Sequence, residues 1–84
     1  MDIRRKAIKS VLSNMDKNKA LSILGTFLPE REKIAIYYHD IEKEPIWYIG
    51  DVRFPDGFKC GENTVKKYRR NGYDRLISSQ FFDP

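Results

Sequence analysis

Ile46-Trp47-Tyr48-Ile49-Gly50-Asp51-Val52 is the stretch on which the fold turns. Its Ile, Trp, Tyr and Val content favours a strand. The segments on either side of it read as helical, so a helix is the alternative. Upstream, Ile34–Tyr38 has the same β-favouring composition, and Asp40–Pro45 could close a hairpin between the two. Downstream, Pro55-Asp56-Gly57 is a strong turn signal, with Val52-Arg53-Phe54 before it and Phe58-Lys59-Cys60 after it. Two architectures follow. One is mainly α, with four to five short helices and room for a small β-hairpin at Pro55-Asp56-Gly57. The other is α+β, with a three-stranded meander over 34–60 flanked by helices.

Outside this stretch the signals are helical. Asp2 can cap a first helix whose apolar stripe is Ile3, Ala7, Ile8, Val11, Leu12 and Met15. Asp16-Lys17-Asn18 reads as a turn. Leu21, Leu24, Phe27 and Leu28 then keep helical spacing up to Pro29, which suits the first turn of a new helix. Glu30 and Glu32 fall in that turn, where the helix dipole favours negative charge. Ile34, Tyr37, Tyr38 and Ile41 would face inward from it. At the other end, Glu62–Ile77 is a basic amphipathic helix: Val65, Tyr68, Gly72, Tyr73, Leu76 and Ile77 share one face, with Lys66, Lys67, Arg69 and Arg70 on the others. Asn71-Gly72 marks where it could stop early, since Gly inside a helix costs about 1 kcal/mol relative to Ala. Phe81-Phe82 would fold back onto the core or form a contact patch.

The chain has 84 residues, enough for a single domain over 1–84 with a modest core. It is 40% hydrophobic and 33% charged, a globular profile with a heavily charged surface. Its one cysteine, Cys60, cannot form an internal disulfide, and with one histidine, His39, there is no ligand set for zinc. There is no signal-peptide core after Met1–Lys6 and no apolar run of membrane-spanning length, so the expectation is a reduced, cytoplasmic protein with no membrane partner. No Gly-rich phosphate loop, Cys–His pair or Ser-His-Asp set points to an enzyme; no catalytic residue, metal or cofactor is expected.

The net charge of +4 is unevenly placed. Lys59 to Arg75 holds six basic residues and two acidic ones, whereas 30–56 holds seven acids and four bases. Positive charge gathered on one element is the electrostatic footprint of a polyanion partner, although a solvated helix face has the same composition. A second basic cluster, Arg4, Arg5, Lys6 and Lys9, is either a solubilising face or a second phosphate patch.

Two segments together resemble the C-terminal DNA-binding domain, domain four, of bacterial sigma factors. The first is Ala20–Ile34, in which a short helix ends in Leu28-Pro29-Glu30-Arg31-Glu32 and opens the next. The second is Thr64–Leu76, similar to that family's recognition helix. Between them Ile46–Val52, with Ile46 and Ile49 three apart and a small residue following, resembles the supporting helix of a C-terminal helix-turn-helix, and small phage activators of late transcription share this arrangement, often with an aromatic residue where Trp47 stands. The resemblance covers roughly 20–77. One departure is plain: a helix-turn-helix turn is usually roughly three or four residues, and Arg53–Gly61 is nine.

The resemblance implies a stand-alone, sequence-specific transcriptional regulator of phage or mobile-element type, with double-stranded DNA as partner, RNA polymerase as a further one and a homodimer as its assembly. Helix 62–77 would enter the major groove, which accepts one helix and is read from that helix's amino-terminal residues. By register Glu62, Asn63, Lys66 and Lys67 point outward to base edges, while Thr64, Arg69, Arg70 and Arg31 are placed for phosphates. Asn63 and Thr64 could instead only cap the helix, Arg31 could pair with an acid of the middle segment, and Trp47 reads as core before it reads as contact. The rival is a small non-enzymatic protein-binding module, an inhibitor or adaptor, using the aromatics Tyr37, Tyr48, Phe54 and Phe58 of 34–60. RNA or single-strand binding lacks a supporting aromatic motif.

Overall fold

Pro45 cannot donate a backbone hydrogen bond, so it suits the start of a helix and not the centre of a sheet. In the computed structural model, which describes residues 3–79, it opens a helix at the stretch that decides the fold. Five helices make up the described residues, and no strand occurs among them. They are α1 (Ile3–Asn14), α2 (Lys17–Phe27), α3 (Glu30–Ile36, continued by a π-helical turn Tyr37–Ile41), α4 (Ile46–Tyr48, continued by a π-helical turn Ile49–Arg53) and α5 (Glu62–Ser78). The mainly α architecture is the one that forms.

The three-stranded meander over 34–60 does not form, and the reason is geometric. In a strand, Ile46, Tyr48 and Gly50 would face one side and Trp47, Ile49 and Asp51 the other. Here Ile49 and its neighbour Gly50 are both buried, with Ile46 part-buried beside them, while Trp47 and Asp51 face solvent. Only a helix puts 46, 49 and 50 on one face. Burial of that face against Ile34, Ala35, Phe54 and Val65 overrides the strand preference of the individual residues. The inserted hairpin is likewise absent. Phe58 N–H donates to Pro55 C=O at 3.0 Å across a turn with Gly57 at φ 89°, and no ladder flanks it.

α3 is the central helix. Ile36 faces one apolar cluster with Ile8 and Leu12 of α1, Ala20 and Leu24 of α2, Leu28, Ile41, and Tyr73 and Leu76 of α5. Ile34 and Ala35 face the second cluster, formed with α4, the turn and Val65. The expected α1 stripe is narrower than its spacing suggests: Ile8 and Leu12 are buried, while Ile3, Ala7 and Val11 are exposed. Asp16 is not a bare turn residue but the cap of α2, its carboxylate accepting from the Asn18 and Lys19 amides at 2.8 and 3.2 Å. The readings of Asp2 and of Phe81-Phe82 lie outside the described residues.

α5 does not stop at Asn71. It runs through Gly72 because α3 crosses there: a Cβ on Gly72 would stand 2.6 Å from Ile36 Cδ1 and 3.3 Å from Glu32 Cβ. Glycine lowers helix propensity and permits the crossing. Gly50 is tighter still. Its carbonyl accepts from the Cys60 amide at 3.1 Å, and a Cβ there would lie 2.1 Å from the Cys60 carbonyl oxygen. This contact fixes the end of the long turn, and so the start of α5, against α4.

A buried acid joins the helices. The π-helical turn of α3 carries Asp40 into the interior, where it is 1% exposed. Its carboxylate accepts a forked pair of bonds from Arg69, through Nη2 at 2.9 Å and Nε at 3.0 Å, and a further bond from the Tyr73 hydroxyl. Lys9 Nζ of α1 stands 3.9 Å away, and the Ser13 hydroxyl donates to the Asp40 carbonyl at 3.4 Å. Burial, the Asp40 charge and the bond to it push the Tyr73 hydroxyl well above the ordinary tyrosine range.

Three outcomes are expected. Gly72→Ala gains about 1 kcal/mol of helix propensity but overpacks a buried crossing, which costs about 1–3 kcal/mol, so it is neutral to destabilising. Gly50→Ala meets a backbone carbonyl that cannot rotate away and lowers the urea midpoint far more. The pH dependence has a fixed sign: Tyr73 stays protonated in the folded chain above pH 10, where the unfolded chain gives up that proton. The contribution is therefore complete below about pH 10 and declines above it, by up to about 1.4 kcal/mol per unit. Tyr37 is raised in the same sense by burial and by Glu42, so Tyr73→Phe makes the alkaline slope of urea-measured stability shallower without flattening it.

Candidate nucleic-acid interface

α5 is 17 residues long and packs along one side only. Val65, Gly72, Tyr73 and Leu76 are buried. Across the helix from them Asn63, Lys66, Lys67 and Arg70 are exposed at three- and four-residue spacing. From Asn63 to Arg70 the stripe is about 10 Å long at about 1.5 Å per residue, on a helix whose diameter of about 10–12 Å fits a major groove about 12 Å wide. No acidic side chain among the described residues pairs with Lys66, Lys67 or Arg70. The other cations of this region behave differently: Arg75 Nε donates to Glu32 at 2.8 Å, Arg69 is held by Asp40, and Lys59 stands 3.7 Å from Asp56. The positive charge in and before α5 is thus divided between Lys59, Arg69 and Arg75, which pair with acids, and Lys66, Lys67 and Arg70, which pair with none among the described residues.

The helix start keeps its side chains free for other use. Gly61 is the N-cap and has no side chain to offer the first turn. Asn63 and Thr64 come after it, so neither acts as the cap; Asn63 is exposed and Thr64 half-buried. Glu62 is exposed in the first turn, where the dipole favours it.

Of the residues singled out in the sequence, the fold gathers Glu62, Asn63, Lys66, Lys67 and Arg70 on one exposed surface, with Thr64 at its edge. Arg31 projects from α3 towards the same end of α5 and is not paired with an acid of the middle segment. Its guanidinium lies 4.3 Å over the ring of Phe58, in the turn that leads into α5. Arg69 does not belong with the phosphate anchors. It sits one residue off the outward stripe, and its forked donors are taken up by Asp40. The α1 cluster is partly structural as well: Arg5 Nη2 bonds Asp74 at 3.3 Å and Lys9 faces Asp40. Trp47 is 58% exposed on the outer side of α4, not core.

His39 Nδ1 lies 2.9 Å from the Glu44 carbonyl oxygen, and burial raises the Cys60 thiol above its ordinary range against the opposing charge of Arg31. No helix among the described residues is long and apolar enough to cross a membrane. The sequence matches no protein-family model, no curated protein and no solved structure.

Arg69 and Arg70 are adjacent in sequence and opposite in role. Arg69→Ala leaves Asp40 buried without its main partner, at a cost of about 3–5 kcal/mol. Arg70→Ala changes stability by no more than about 0.5 kcal/mol. Urea unfolding of the two variants measures the difference, and equal midpoints would contradict the division of charge.

Proposed function

We propose that this chain is a sequence-specific, double-stranded-DNA-binding transcriptional regulator of phage or mobile-element type, acting in the cytoplasm, that lays α5 in the major groove. The observation that carries the reading is the exposed stripe Asn63, Lys66, Lys67 and Arg70, cationic and without acidic partners among the described residues, on a helix held rigidly from behind. A free stripe of this kind supplies the sequence-independent attraction to phosphates on which duplex binding rests, and a fixed helix limits the entropy lost on docking.

The order of elements supports the reading. α2 ends and α3 begins at Leu28-Pro29-Glu30-Arg31-Glu32, α4 carries Ile46, Ile49 and Gly50 on its inner face, and α5 follows. That order suits the likeness to sigma-factor domain four and to small phage late activators, with RNA polymerase as a further partner and two half-sites bound by a homodimer. Within the proposed complex Asn63 pairs with adenine, Lys66 and Lys67 with guanine, and Glu62 accepts from cytosine. Thr64, Arg70 and Arg31 hold phosphates.

A gel shift at two salt concentrations tests the proposal. Wild type binds duplex DNA, more weakly at the higher salt. Lys66→Ala/Lys67→Ala/Arg70→Ala keeps its fold, loses most binding, and has a log K against log salt slope shallower by about 0.9 for each phosphate it no longer neutralises. Asn63→Ala alters the preferred sequence more than the slope. Salt-insensitive binding, or no binding to any duplex, would overturn the reading.

A further inference from the structure

Along α3, α4 and their π-helical turns runs a series of rings that the DNA reading does not use, with Tyr37 and Tyr38 each resting partly on an apolar cluster. Tyr37 meets Tyr38 edge to face at 5.1 Å. The Arg53 guanidinium lies 4.5 Å over Tyr38 and 5.6 Å over Tyr48. Tyr48 meets Trp47 edge to face at 5.8 Å. Every member is half-buried or exposed, and Trp47 is the most open of the run. Glu44 grips Arg53 by two bonds, one of them to Nε at 2.9 Å, which fixes the guanidinium between its rings. Beside Tyr37, Lys17 Nζ stands 2.5 Å from Glu42.

These residues have the composition of a protein-binding hot spot, in which Trp, Tyr and Arg predominate. Rings already braced by their neighbours lose little freedom on docking. Arg53 and Glu44, and Lys17 and Glu42, compensate each other within the surface, so covering it leaves none of the four charges alone. The same pairing argues against a nucleic acid, since the guanidinium between the rings is committed to Glu44. One turn beyond Trp47, Asp51 is exposed and pairs with no cation among the described residues.

We propose that the shelf from Tyr37 to Trp47 docks a second protein through an apolar face that carries a basic side chain opposite Asp51. The shelf and the cationic stripe lie on different helices, and Ile46, Ile49 and Gly50 turn the other side of α4 inward to α3 and α5. Protein docking on the shelf and DNA binding on α5 are therefore separable.

The test uses the full chain and a displayed library of random helical peptides, selected on wild type alone. Recovered peptides are expected to combine an apolar face with Arg or Lys. They bind Trp47→Ala and Asp51→Lys at least tenfold more weakly and shift the emission of Trp47, the chain's only tryptophan, to the blue. Both substitutions are at exposed positions, and circular dichroism and the duplex gel shift are expected to stay as in wild type. Failure to recover peptides, recovery of acidic peptides only, or peptides that bind Trp47→Ala as tightly as wild type would overturn the proposal. A chain that binds such peptides yet no duplex would overturn the DNA reading alone.

Discussion

The structure depends on the burial of Asp40. A carboxylate taken out of water is costly unless its lone pairs are filled and its charge is met. Here Arg69 and Tyr73, four residues apart on one face of α5, fill them together, with Lys9 of α1 nearby. That requirement sets the rotation of α5 about its axis. Once Arg69 and Tyr73 face Asp40, Gly72 lies against Ile36, Leu76 enters the apolar cluster, and Lys66, Lys67 and Arg70 are left on the far side. An acid on α3 thereby decides which cations of α5 meet the solvent.

The π-helical turns serve this arrangement. An ordinary helix through Tyr37–Ile41 would advance each side chain by a regular increment, whereas the wider turn changes the phase between Ile36 and Asp40. It ends near Lys43, the one described residue other than glycine with a positive φ, at 63°. The chain then reverses, with the Glu44 amide bonded to the Tyr38 carbonyl at 2.9 Å, and Pro45 starts α4. The second such turn, Ile49–Arg53, brings Arg53 between Tyr38 and Tyr48 while Gly50 meets Cys60. The two irregular segments thus place the acid that orients α5 and the glycine that seats its beginning.

Much of this was legible in the residues. The residues of Ile46–Val52 left helix and strand open, and only their likeness to a supporting helix favoured the helix that forms, while the amphipathic pattern of 62–77 predicted the buried face of α5 and, Arg69 apart, the exposed one. What could not be read depended on pairings distant in sequence. Arg69 looked like Arg70 because nothing local distinguishes a cation that will meet an acid 29 residues away. Gly72 looked like a stop because its role lies in the helix that crosses it. Asp40, between His39 and Ile41, gave no sign of being interior, since a π-helical turn has no recognised pattern of residues. Trp47 looked like core because hydrophobicity alone does not separate the inner and outer faces of so short a helix.

The division of cations bears on how the two proposed surfaces differ. Six basic residues lie between Lys59 and Arg75. If all were outward, α5 would have no polar attachment to the core and its rotation would rest on apolar packing alone. If all were paired inward, no free charge would remain to attract a polyanion. Arg69 and Arg75 fasten the helix at Asp40 and Glu32, and Lys66, Lys67 and Arg70 remain for an external charge. On the aromatic shelf Arg53 and Glu44 satisfy each other, so that of the charges around Trp47 only Asp51 is left for a partner to meet. Three unpaired cations on one face, and ion pairs beside the single charge of Asp51 on the other, give two surfaces of different solvation, the difference on which the two proposals rest.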